Sequence, residues 1–410
     1  MMNKYDVIII GGGAAGMMAA SRALNNNKKV LIVESKSQLG SKILITGKGR
    51  CNITNSCEIE DIISNTIRNG NFMYSAIYSF SNSAIVNFFN KLGVKTKEER
   101  GKRIFPVSDS AKDVRDAFLK DFTKKNIKIQ YDSKVNRLIV ENNIIKGVML
   151  KNRERYYAKS VILACGGKSY PITGSDGSGY DLAKSVGHNI ITPKAALTGL
   201  NCKEKWTKDA MGVTLKNVRL TAIYKNKQLF SNIGEMIFTH FGISGPLVLT
   251  ASRYFLDTGY NGAKIIIDLK PGLSKEKLYN RICRDFDENP KKLFDNSLRK
   301  LLPSNLVSPI VRLSGIDSNK QSNQITKEER NKLVDVLKGV KLHVSSGRGF
   351  TEAIVTAGGI DTKEINPSTM ESKIISGLFF AGEMIDIDAF TGGFNLTLAF
   401  STGYLAGDNA

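Results

Sequence analysis

The first strongly apolar part of the chain combines strand-like runs with a glycine-rich turn. Tyr5–Ile10 is a β-branched run of the kind that is buried on both faces of a parallel sheet, and it leads directly into G-G-G-A-A-G. Small and apolar residues from Met17 to Asn25 predict a helix, and Val30–Val33 predicts a second strand. The pattern therefore predicts a strand–turn–helix–strand unit at the start of the chain.

The glycine-rich turn has the G-x-G-x-x-G spacing of a dinucleotide-binding motif. Gly11 permits the tight turn, Gly13 lets the backbone approach a pyrophosphate, and Gly16 lets the helix pack closely on the strand. The free N–H groups and the dipole at the helix start favour a diphosphate. Glu34, at the end of the second strand, is placed to accept hydrogen bonds from ribose hydroxyls. We therefore predict a dinucleotide site here, and this signature alone leaves NAD and FAD open.

A second glycine-rich turn, near the far end of the chain, bears on that choice. Ser376–Glu383 predicts a short strand that runs into Gly-Glu, and Ala389–Asn395 is a loop before a small-residue helix from Leu396 to Gly407. A glycine-rich loop at a helix N-terminus is a further place for an anion or a ring oxygen. A long cofactor held by both chain ends, with its diphosphate at one and a flavin ring at the other, fits this pattern better than NAD does.

The middle of the chain has a different residue pattern, which is typical of β-strands. Strands are predicted at Ile127–Tyr131, Val135–Glu141 and Ile144–Leu150, and Pro193 marks a plausible boundary. Beyond it, alternating apolar residues from Val218 onward predict a β-rich insert.

Within the insert, apolar residues also repeat at helical spacing. Thr326 and Glu329 form a capping-box pattern that opens a helix ending at Gly339. We place the insert at residues 193–342, with a helical piece at about 273–340. The flanking segments, 1–192 and 343–410, form the cofactor domain.

Length and composition limit the class of protein. A chain of 410 residues with 41% hydrophobic and 24% charged residues is typical of a soluble globular protein with two or three domains. The most apolar N-terminal run, Val7–Ala20, is too short and too glycine-rich to cross a bilayer, and no export signal is visible, so we expect a cytoplasmic protein without a membrane partner. Five scattered cysteines without C-x-x-C, and three histidines, argue against a disulfide framework and a metal site.

The net charge of +21 raises the question of a polyanionic partner. The Lys and Arg residues are spread along the whole chain in short pieces such as Asn26–Lys29 and Lys95–Arg103, and they are rarely interleaved with aromatic residues. We interpret the charge as a solvated lysine-rich surface, so a nucleic-acid partner is not the first expectation. Polyanion binding stays as the alternative.

Several motifs in order along the chain carry a family resemblance. The sequence resembles the BaiN-like (YhiN-like) FAD-dependent oxidoreductases, also labelled NAD(P)/FAD-dependent or aminoacetone-oxidase-like flavoproteins, over essentially its whole length. The motifs are Gly11–Gly16, Glu34, Ile45–Asn55, Ala164–Pro171, Thr173–Tyr180, Phe238–Pro246, Thr356–Ile360 and Ala381–Asn395. The resemblance implies an α/β fold with a glutathione-reductase-like Rossmann FAD domain built from both chain ends and interrupted by the β-rich insert.

The resemblance also implies which residues contact the cofactor. In such flavoproteins the segment after the ribose-binding acid runs along the pyrophosphate and ribityl chain toward the flavin. The residues that we expect to bind FAD are Gly11, Gly13, Ala14, Ala15, Gly16, Glu34, Ser35, Lys42, Thr46, Gly47, Gly49, Arg50, Cys51, Asn52, Val135, Ala164, Gly382, Glu383, Gly392, Gly393, Phe394 and Asn395.

The chain departs from the family pattern at three positions. Lys48 replaces the usual glycine, Phe241 the usual Trp, and Phe394 the usual Tyr. None removes a group that FAD binding would need, but the loss of a hydroxyl at Phe394 weakens any transfer of substrate from relatives.

Three side chains are candidates for catalysis beside the flavin. His240 is an acid or base by type, Cys51 lies beside Arg50, which favours a thiolate, and Tyr170 could orient a substrate. For each of them a purely structural role is the alternative. The flavin itself would carry the electron transfer.

The predicted function is that of an FAD-dependent oxidoreductase acting on a small or medium organic molecule, such as an amine, ketone or enone. No second strand–turn–helix–acid unit appears, so NAD(P)H would act only as a transient electron donor. Two alternatives stay open: a tRNA-modifying flavoenzyme, suggested by the charge, and a non-catalytic flavin-binding sensor.

Overall fold

The chain folds into two compact units in the computed structural model, which describes residues 4–410. The first unit comprises the residues up to Ala195 together with Ala353–Ala410, and the second comprises Ala196–Glu352. Within residues 4–410, no helix is both long enough and apolar enough to cross a membrane.

Twenty strands are present within residues 4–410, most of them short. In chain order they are β1 Lys4–Ile10, β2 Val30–Val33, β3 Thr54–Asn55, β4 Thr66–Arg68, β5 Thr96–Glu99, β6 Arg103–Pro106, β7 Lys128–Gln130, β8 Val135–Glu141, β9 Ile144–Leu150, β10 Arg155–Leu163, β11 Ile190–Ala196, β12 Leu200–Cys202, β13 Thr214–Tyr224, β14 Lys227–Thr239, β15 Gly242–Ser244, β16 Ala263–Asp268, β17 Val340–Gly347, β18 Val355–Ile360, β19 Leu378–Phe380 and β20 Asp388–Ala389.

Thirteen α-helices connect these strands in the described part of the chain. In chain order they are α1 Ala14–Asn25, α2 Ser41–Ile45, α3 Ile59–Ser64, α4 Tyr74–Ser79, α5 Asn82–Lys91, α6 Ala111–Lys124, α7 Ser178–Lys184, α8 Pro246–Phe255, α9 Lys275–Asp287, α10 Phe294–Ser297, α11 Ser304–Ser314, α12 Lys327–Lys338 and α13 Phe394–Asn409.

The first unit is built on a seven-stranded sheet in the order β7-β2-β1-β10-β9-β8, with β19 also paired to β10. Strands β7, β2, β1, β10 and β19 are parallel, whereas β8 and β9 form an antiparallel extension. Residues Val7–Ile10 and Val30–Val33 are all buried, as expected for strands covered on both faces. The predicted Rossmann-type α/β fold is confirmed.

The two ends of the chain pack against each other within this unit. Helix α13 lies against α1, and a Cβ added at Gly403 would stand 2.3 Å from the carbonyl oxygen of Ala15. Gly407 is equally close to the backbone of Ala19, so small residues let the two helix backbones approach. This packing places the first half of α1 beside the second half of α13.

The second unit contains a closed antiparallel barrel in the order β12-β15-β14-β13-β16-β17. Alternate residues of β16, Ala263, Ile265 and Ile267, are buried in its core, which the period-2 pattern predicts. Helix α12 begins at the predicted capping box, because the Thr326 hydroxyl accepts from the Glu329 N–H and the Glu329 carboxylate accepts from the Thr326 N–H.

One boundary differs from the sequence-based expectation. The predicted return to the cofactor domain at His343 falls inside β17, which pairs with β12 and β16 and completes the barrel. The second unit therefore continues to Glu352. The difference arises because β17 alternates like any half-buried strand, and only its partners assign it to the barrel.

Candidate functional site

The loop between β1 and α1 has the geometry of an anion cradle. Gly11 has φ +98°, and a Cβ at Gly16 would lie 1.9 Å from the Gly11 carbonyl oxygen, so both positions require glycine. At Gly13, in contrast, a Cβ would meet nothing within 4 Å. Gly13 caps α1 without a side chain, which leaves the first N–H groups of the helix facing open space.

The Glu34 carboxylate lies directly beside this loop. It is 8% exposed and accepts hydrogen bonds from the Gly12 N–H at 2.7 Å, the Lys36 N–H at 2.8 Å and the Ser35 hydroxyl at 3.1 Å. A carboxylate has about four lone-pair sites, so one acceptor position remains for a ribose hydroxyl. These bonds fix the carboxylate at the end of β2 before any ligand arrives.

Two further predicted contacts border the same edge of the sheet. A Cβ at Gly11 would stand 2.5 Å from the carbonyl oxygen of Ala164, which follows β10. The Ser133 N–H donates to the Glu34 carbonyl oxygen, which brings the start of β8 at Val135 near the acid. The structure therefore gathers Gly11, Glu34, Val135 and Ala164, which the sequence spreads over more than one hundred and fifty positions.

The loop Thr46–Asn52 follows α2 and makes a left-handed turn. Gly47, Lys48 and Gly49 have φ +56°, +60° and +83°. The Thr46 carbonyl oxygen accepts from the Cys51 N–H, which closes the turn. The Oδ1 atom of Asn52 is buried and has no hydrogen-bond partner within residues 4–410, which marks it as an acceptor for a ligand donor.

The glycine-rich loop before α13 contacts the segment that follows the loop Thr46–Asn52. A Cβ at Gly393, the residue before α13, would lie 2.4 Å from the Thr54 carbonyl oxygen, and the Asn55 amide donates to the Gly392 carbonyl oxygen at 3.0 Å. The Asn395 side chain accepts from the Ala389 N–H and donates to the Ala389 carbonyl oxygen, so it closes its own loop. The loop before α13 thus lies against β3, which follows the loop Thr46–Asn52.

A buried polar network joins Lys42 to the C-terminal segment. The Lys42 ammonium donates to Glu383 and to the Ser169 hydroxyl, each at 2.5 Å, and Ser169 donates to the other oxygen of Glu383. The Thr356 N–H donates to Glu383 at 2.8 Å. Burial of Glu383 opposes its ionisation, but Lys42, Ser169 and the Thr356 N–H outweigh burial and lower the pKa of Glu383.

Removing the ammonium with Lys42→Met is expected to destabilise the first unit by about 1.5–3 kcal/mol, because it takes the counter-ion and a charge-assisted hydrogen bond from a partly buried carboxylate. Thermal unfolding at neutral pH measures this loss. Since the pKa of Glu383 is lowered in the folded state, the stabilisation exists above the ordinary carboxylate pKa and disappears as pH falls. The difference between wild type and variant should therefore shrink in acid. The double variant with Glu383→Gln should recover much of the loss; equal stability of Lys42→Met and wild type at neutral pH would contradict the role of the pair.

The position of Arg50 disagrees with its predicted cofactor contact. Its guanidinium forms ion pairs with Glu99 and Asp109 and lies 4.2 Å from the centre of the Phe105 ring. Two carboxylates therefore already neutralise its charge, and its role in the structure is to hold the loop against the β5–β6 hairpin. The sequence offered no sign of this pairing because Glu99 and Asp109 are about fifty residues away.

The three catalytic candidates lie in different surroundings. Cys51 is fully buried, and burial raises the pKa of its thiol to about 12, so it does not form the thiolate that the neighbouring Arg50 suggested. Tyr170 is half-buried with φ +50°, and its carbonyl oxygen accepts from Thr173. His240 is exposed on the turn between β14 and β15 of the second unit. Cys51 and Tyr170 belong to the first unit and His240 belongs to the second.

Sequence reasoning missed Ser169 and Thr356 as parts of the network around Glu383. The Thr356 hydroxyl accepts from the N–H groups of Lys168 and Ser169, so it also fixes the chain after β10. Both residues lie in motifs that carry the family resemblance. That placement was the only signal, because their contacts are long-range.

The residues present fit a dinucleotide cofactor. Open space at Gly13, the preset carboxylate of Glu34 and the unpartnered acceptor of Asn52 supply, in order, a place for phosphates, for ribose hydroxyls and for a donor on a ring or chain. All three lie in the first unit.

Comparison with known proteins gives matches over nearly the whole chain. Residues 5–409 match the family model described as HI0933-like protein Rossmann domain. A 3-dehydro-bile acid delta(4,6)-reductase of Clostridium scindens is 34% identical over 92% of this chain and 91% of that protein. A ribosomal RNA dihydrouridine synthase of Haemophilus influenzae is 31% identical over 92% of this chain and 90% of that protein.

Solved structures match at the level of fold. The 3-ketosteroid delta1-dehydrogenase of Sterolibacterium denitrificans superimposes with a TM-score of 0.54, covering 99% of each chain, at 13% identity.

Proposed function

Because the chain belongs to the HI0933-like Rossmann-domain family of FAD-dependent oxidoreductases, we propose that it reduces a ring carbon–carbon double bond conjugated to a carbonyl group. The names of the two relatives describe such reactions, on a 3-dehydro-bile acid and on a uridine of ribosomal RNA. The chemistry common to both names is the addition of hydrogen to that kind of bond. A bound FAD supplies the electrons for this reduction.

The observation that carries the cofactor assignment is the pairing of an open helix start at Gly13 with a preset acid at Glu34. The N–H groups of α1 would bind the diphosphate, and Glu34 would bind the ribose hydroxyls. Asn52 and the loop around Gly392 and Gly393 would contact the ribityl chain and the ring, where Asn52 offers its unpartnered Oδ1.

Lys42 and Glu383 have a positioning role in this proposal. Their ion pair ties α2 to the segment after β19, so the two parts of the chain that border the cofactor surface keep a fixed relative position. Arg50 does not contact the cofactor in this proposal; its ion pairs with Glu99 and Asp109 hold the loop Thr46–Asn52 in place.

The function is tested by anaerobic reduction of the yellow protein with NADH and with NADPH, followed by mixing with a 4,6-dien-3-one steroid. We expect at least one nicotinamide to reduce the flavin and the conjugated ketone to reoxidise it, as measured by flavin absorbance. The matched control is the saturated ketone, which offers no double bond. Reoxidation by both ketones alike, or by neither ketone nor RNA, would contradict the proposal. If the protein were a non-catalytic flavin-binding sensor, no pair of electron donor and acceptor would give turnover.

A second candidate substrate is a uridine within RNA. The specific observation in its favour is the charge, since 59 Lys and Arg face 38 Asp and Glu. Such an excess attracts a polyanion much more strongly than it attracts a bile acid, which carries a single carboxylate. Reoxidation of the reduced enzyme by uridine-containing RNA, with dihydrouridine detected by mass spectrometry of the digested RNA, would select this candidate. Reoxidation by the steroid alone would exclude it.

A further inference from the structure

A group of cations lies beside the loop Thr46–Asn52, on the hairpin formed by β5 and β6. We call this the hairpin surface and define it as Lys48, Arg50 and the segment Lys95–Asp109. It carries seven cations, two from the loop and five from the segment, against three carboxylates, which leaves a net charge of +4.

The hairpin surface is fixed to the candidate cofactor loop. The Ile53 N–H donates to the Ile104 carbonyl oxygen at 2.8 Å, and β3 pairs with β6 at Thr54 and Ile104. Arg50 adds its ion pairs with Glu99 and Asp109. A ligand bound on this surface would therefore lie next to the loop to which we assign part of the cofactor site.

Two of the three carboxylates of the surface are paired with cations, because Arg50 and Lys97 share Glu99 and Asp109. Glu98 accepts from the Ser56 hydroxyl and has no ion pair within residues 4–410. Within residues 4–410, five cations of the surface have no carboxylate partner: Lys48, Lys95, Arg100, Lys102 and Arg103. Four of them are exposed, and Arg103 is half-buried and donates to the Arg100 carbonyl oxygen.

Two of these unpaired lysines have an unfavourable backbone conformation. Lys48 has φ +60° and Lys102 has φ +58°, in turns where their glycine neighbours adopt similar values. A left-handed conformation costs a residue with a side chain roughly 1–2 kcal/mol. No side-chain contact within residues 4–410 offsets this cost. Glycine or asparagine would make both turns more stable, so the presence of lysine points to a use for the charge.

We propose that the hairpin surface binds the phosphate backbone of single-stranded RNA. The inference rests on the second candidate of the proposed function and names the part of the chain that holds that substrate. Five unpaired cations fixed around one hairpin match a row of phosphates better than they match one small anion.

The surface suits phosphates and not bases. Its only aromatic residue, Phe105, is 3% exposed and covered by the guanidinium groups of Arg50 and Arg103, at 4.2 and 5.7 Å from the ring centre. No ring is left for a base to stack on. Phosphate contact positions an RNA without reading its sequence.

Other features limit what else could bind. Val107 is the one large apolar side chain that is exposed on the hairpin surface, and a membrane-binding surface needs several that can insert between lipids.

The test measures binding, not turnover. A fluorescein-labelled short single-stranded RNA is titrated with the FAD-loaded protein between about 50 and 200 mM salt. The variant carries Lys48→Asn, Lys95→Gln, Arg100→Gln and Lys102→Asn, with Asn chosen where φ is positive. The matched control removes four equally exposed cations elsewhere in the first unit by Lys28→Gln, Lys120→Gln, Lys124→Gln and Lys151→Gln. FAD absorbance and melting temperature confirm that both variants are folded.

For the wild type we expect log K to fall with log salt with a slope of about −3.5, since each of five phosphate contacts contributes about −0.7. The hairpin variant should bind at least tenfold more weakly, with a slope reduced by about 2 to 3, while the control keeps the slope of the wild type. An equal loss of RNA affinity in both variants would overturn the proposal, since the attraction would then come from the net charge of the protein and not from the hairpin surface. Unchanged binding by the hairpin variant would overturn it too.

Two further arms separate the sources of an effect. Vesicles of phosphatidylserine and phosphatidylcholine are titrated with the same variants, and binding of vesicles but not of RNA would overturn the proposal in favour of a membrane surface. Reduction of the steroid is measured in parallel. RNA binding without any flavin turnover would support the hairpin surface as an RNA-binding site and refute the reductase function. Steroid turnover without RNA binding would support the reductase function and refute RNA binding by the hairpin surface.

Discussion

Replacing Glu34 with Arg is expected to yield protein that purifies without flavin. The carboxylate is held by the N–H groups of Gly12 and Lys36 and by the Ser35 hydroxyl, and in our proposal its remaining acceptor position binds a ribose hydroxyl. A hydrogen bond to a charged group contributes roughly 1.5–3 kcal/mol, and arginine offers no acceptor, so the loss of this bond should weaken FAD binding by at least about tenfold. The flavin-to-protein absorbance ratio and a titration of the apoprotein with FAD measure the effect.

The control for this variant is Glu34→Gln, which keeps an acceptor at the same place and removes the charge. Its affinity for FAD should fall between those of the wild type and Glu34→Arg. Circular dichroism and gel filtration separate lost binding from lost folding. Full flavin content in a folded Glu34→Arg protein would show that the ribose contact is assigned to the wrong residue.

Gly13→Ala and Gly16→Ala are both expected to reduce FAD binding, but for different reasons. At Gly13 the φ of −78° is open to alanine and an added Cβ meets nothing within 4 Å, so stability should change by less than about 1 kcal/mol. The same Cβ would occupy the space assigned to the diphosphate, so FAD affinity should fall at least tenfold. A loss of binding with unchanged melting temperature of the apoprotein would identify the cradle directly.

At Gly16 the added Cβ would lie 1.9 Å from the Gly11 carbonyl oxygen, so α1 must move away from β1. Overpacking of this kind costs about 1–3 kcal/mol or more, and it should lower the melting temperature of the apoprotein itself. Gly16→Ala is thus the control in which any loss of FAD binding follows from a loss of stability of the apoprotein. If Gly13→Ala kept full FAD affinity, the open space at the helix start would not hold the diphosphate.

The strongest local patterns of the sequence determined their elements closely. Val30–Val33, Val135–Glu141 and Ile144–Leu150 were predicted with the bounds that the structure shows, and α12 begins at its capping box. These segments follow from side-chain periodicity and from hydrogen bonds between residues three apart, and both are properties of a short stretch of chain. The dinucleotide unit belongs to this class, because its glycines, helix and acid lie within about thirty residues.

Tertiary structure decided which charges meet. Lys42 pairs with Glu383 across 341 positions, and Arg50 turns to Glu99 and Asp109 instead of the cofactor surface. The same holds for β17, whose place in the barrel depends on its partners, and for the burial that keeps Cys51 protonated. The sequence alone determined the elements and the family, since these depend on local periodicity and ordered motifs. Only the folded chain determined the partners of each side chain, because a long-range pair leaves no periodic signal in either segment that forms it.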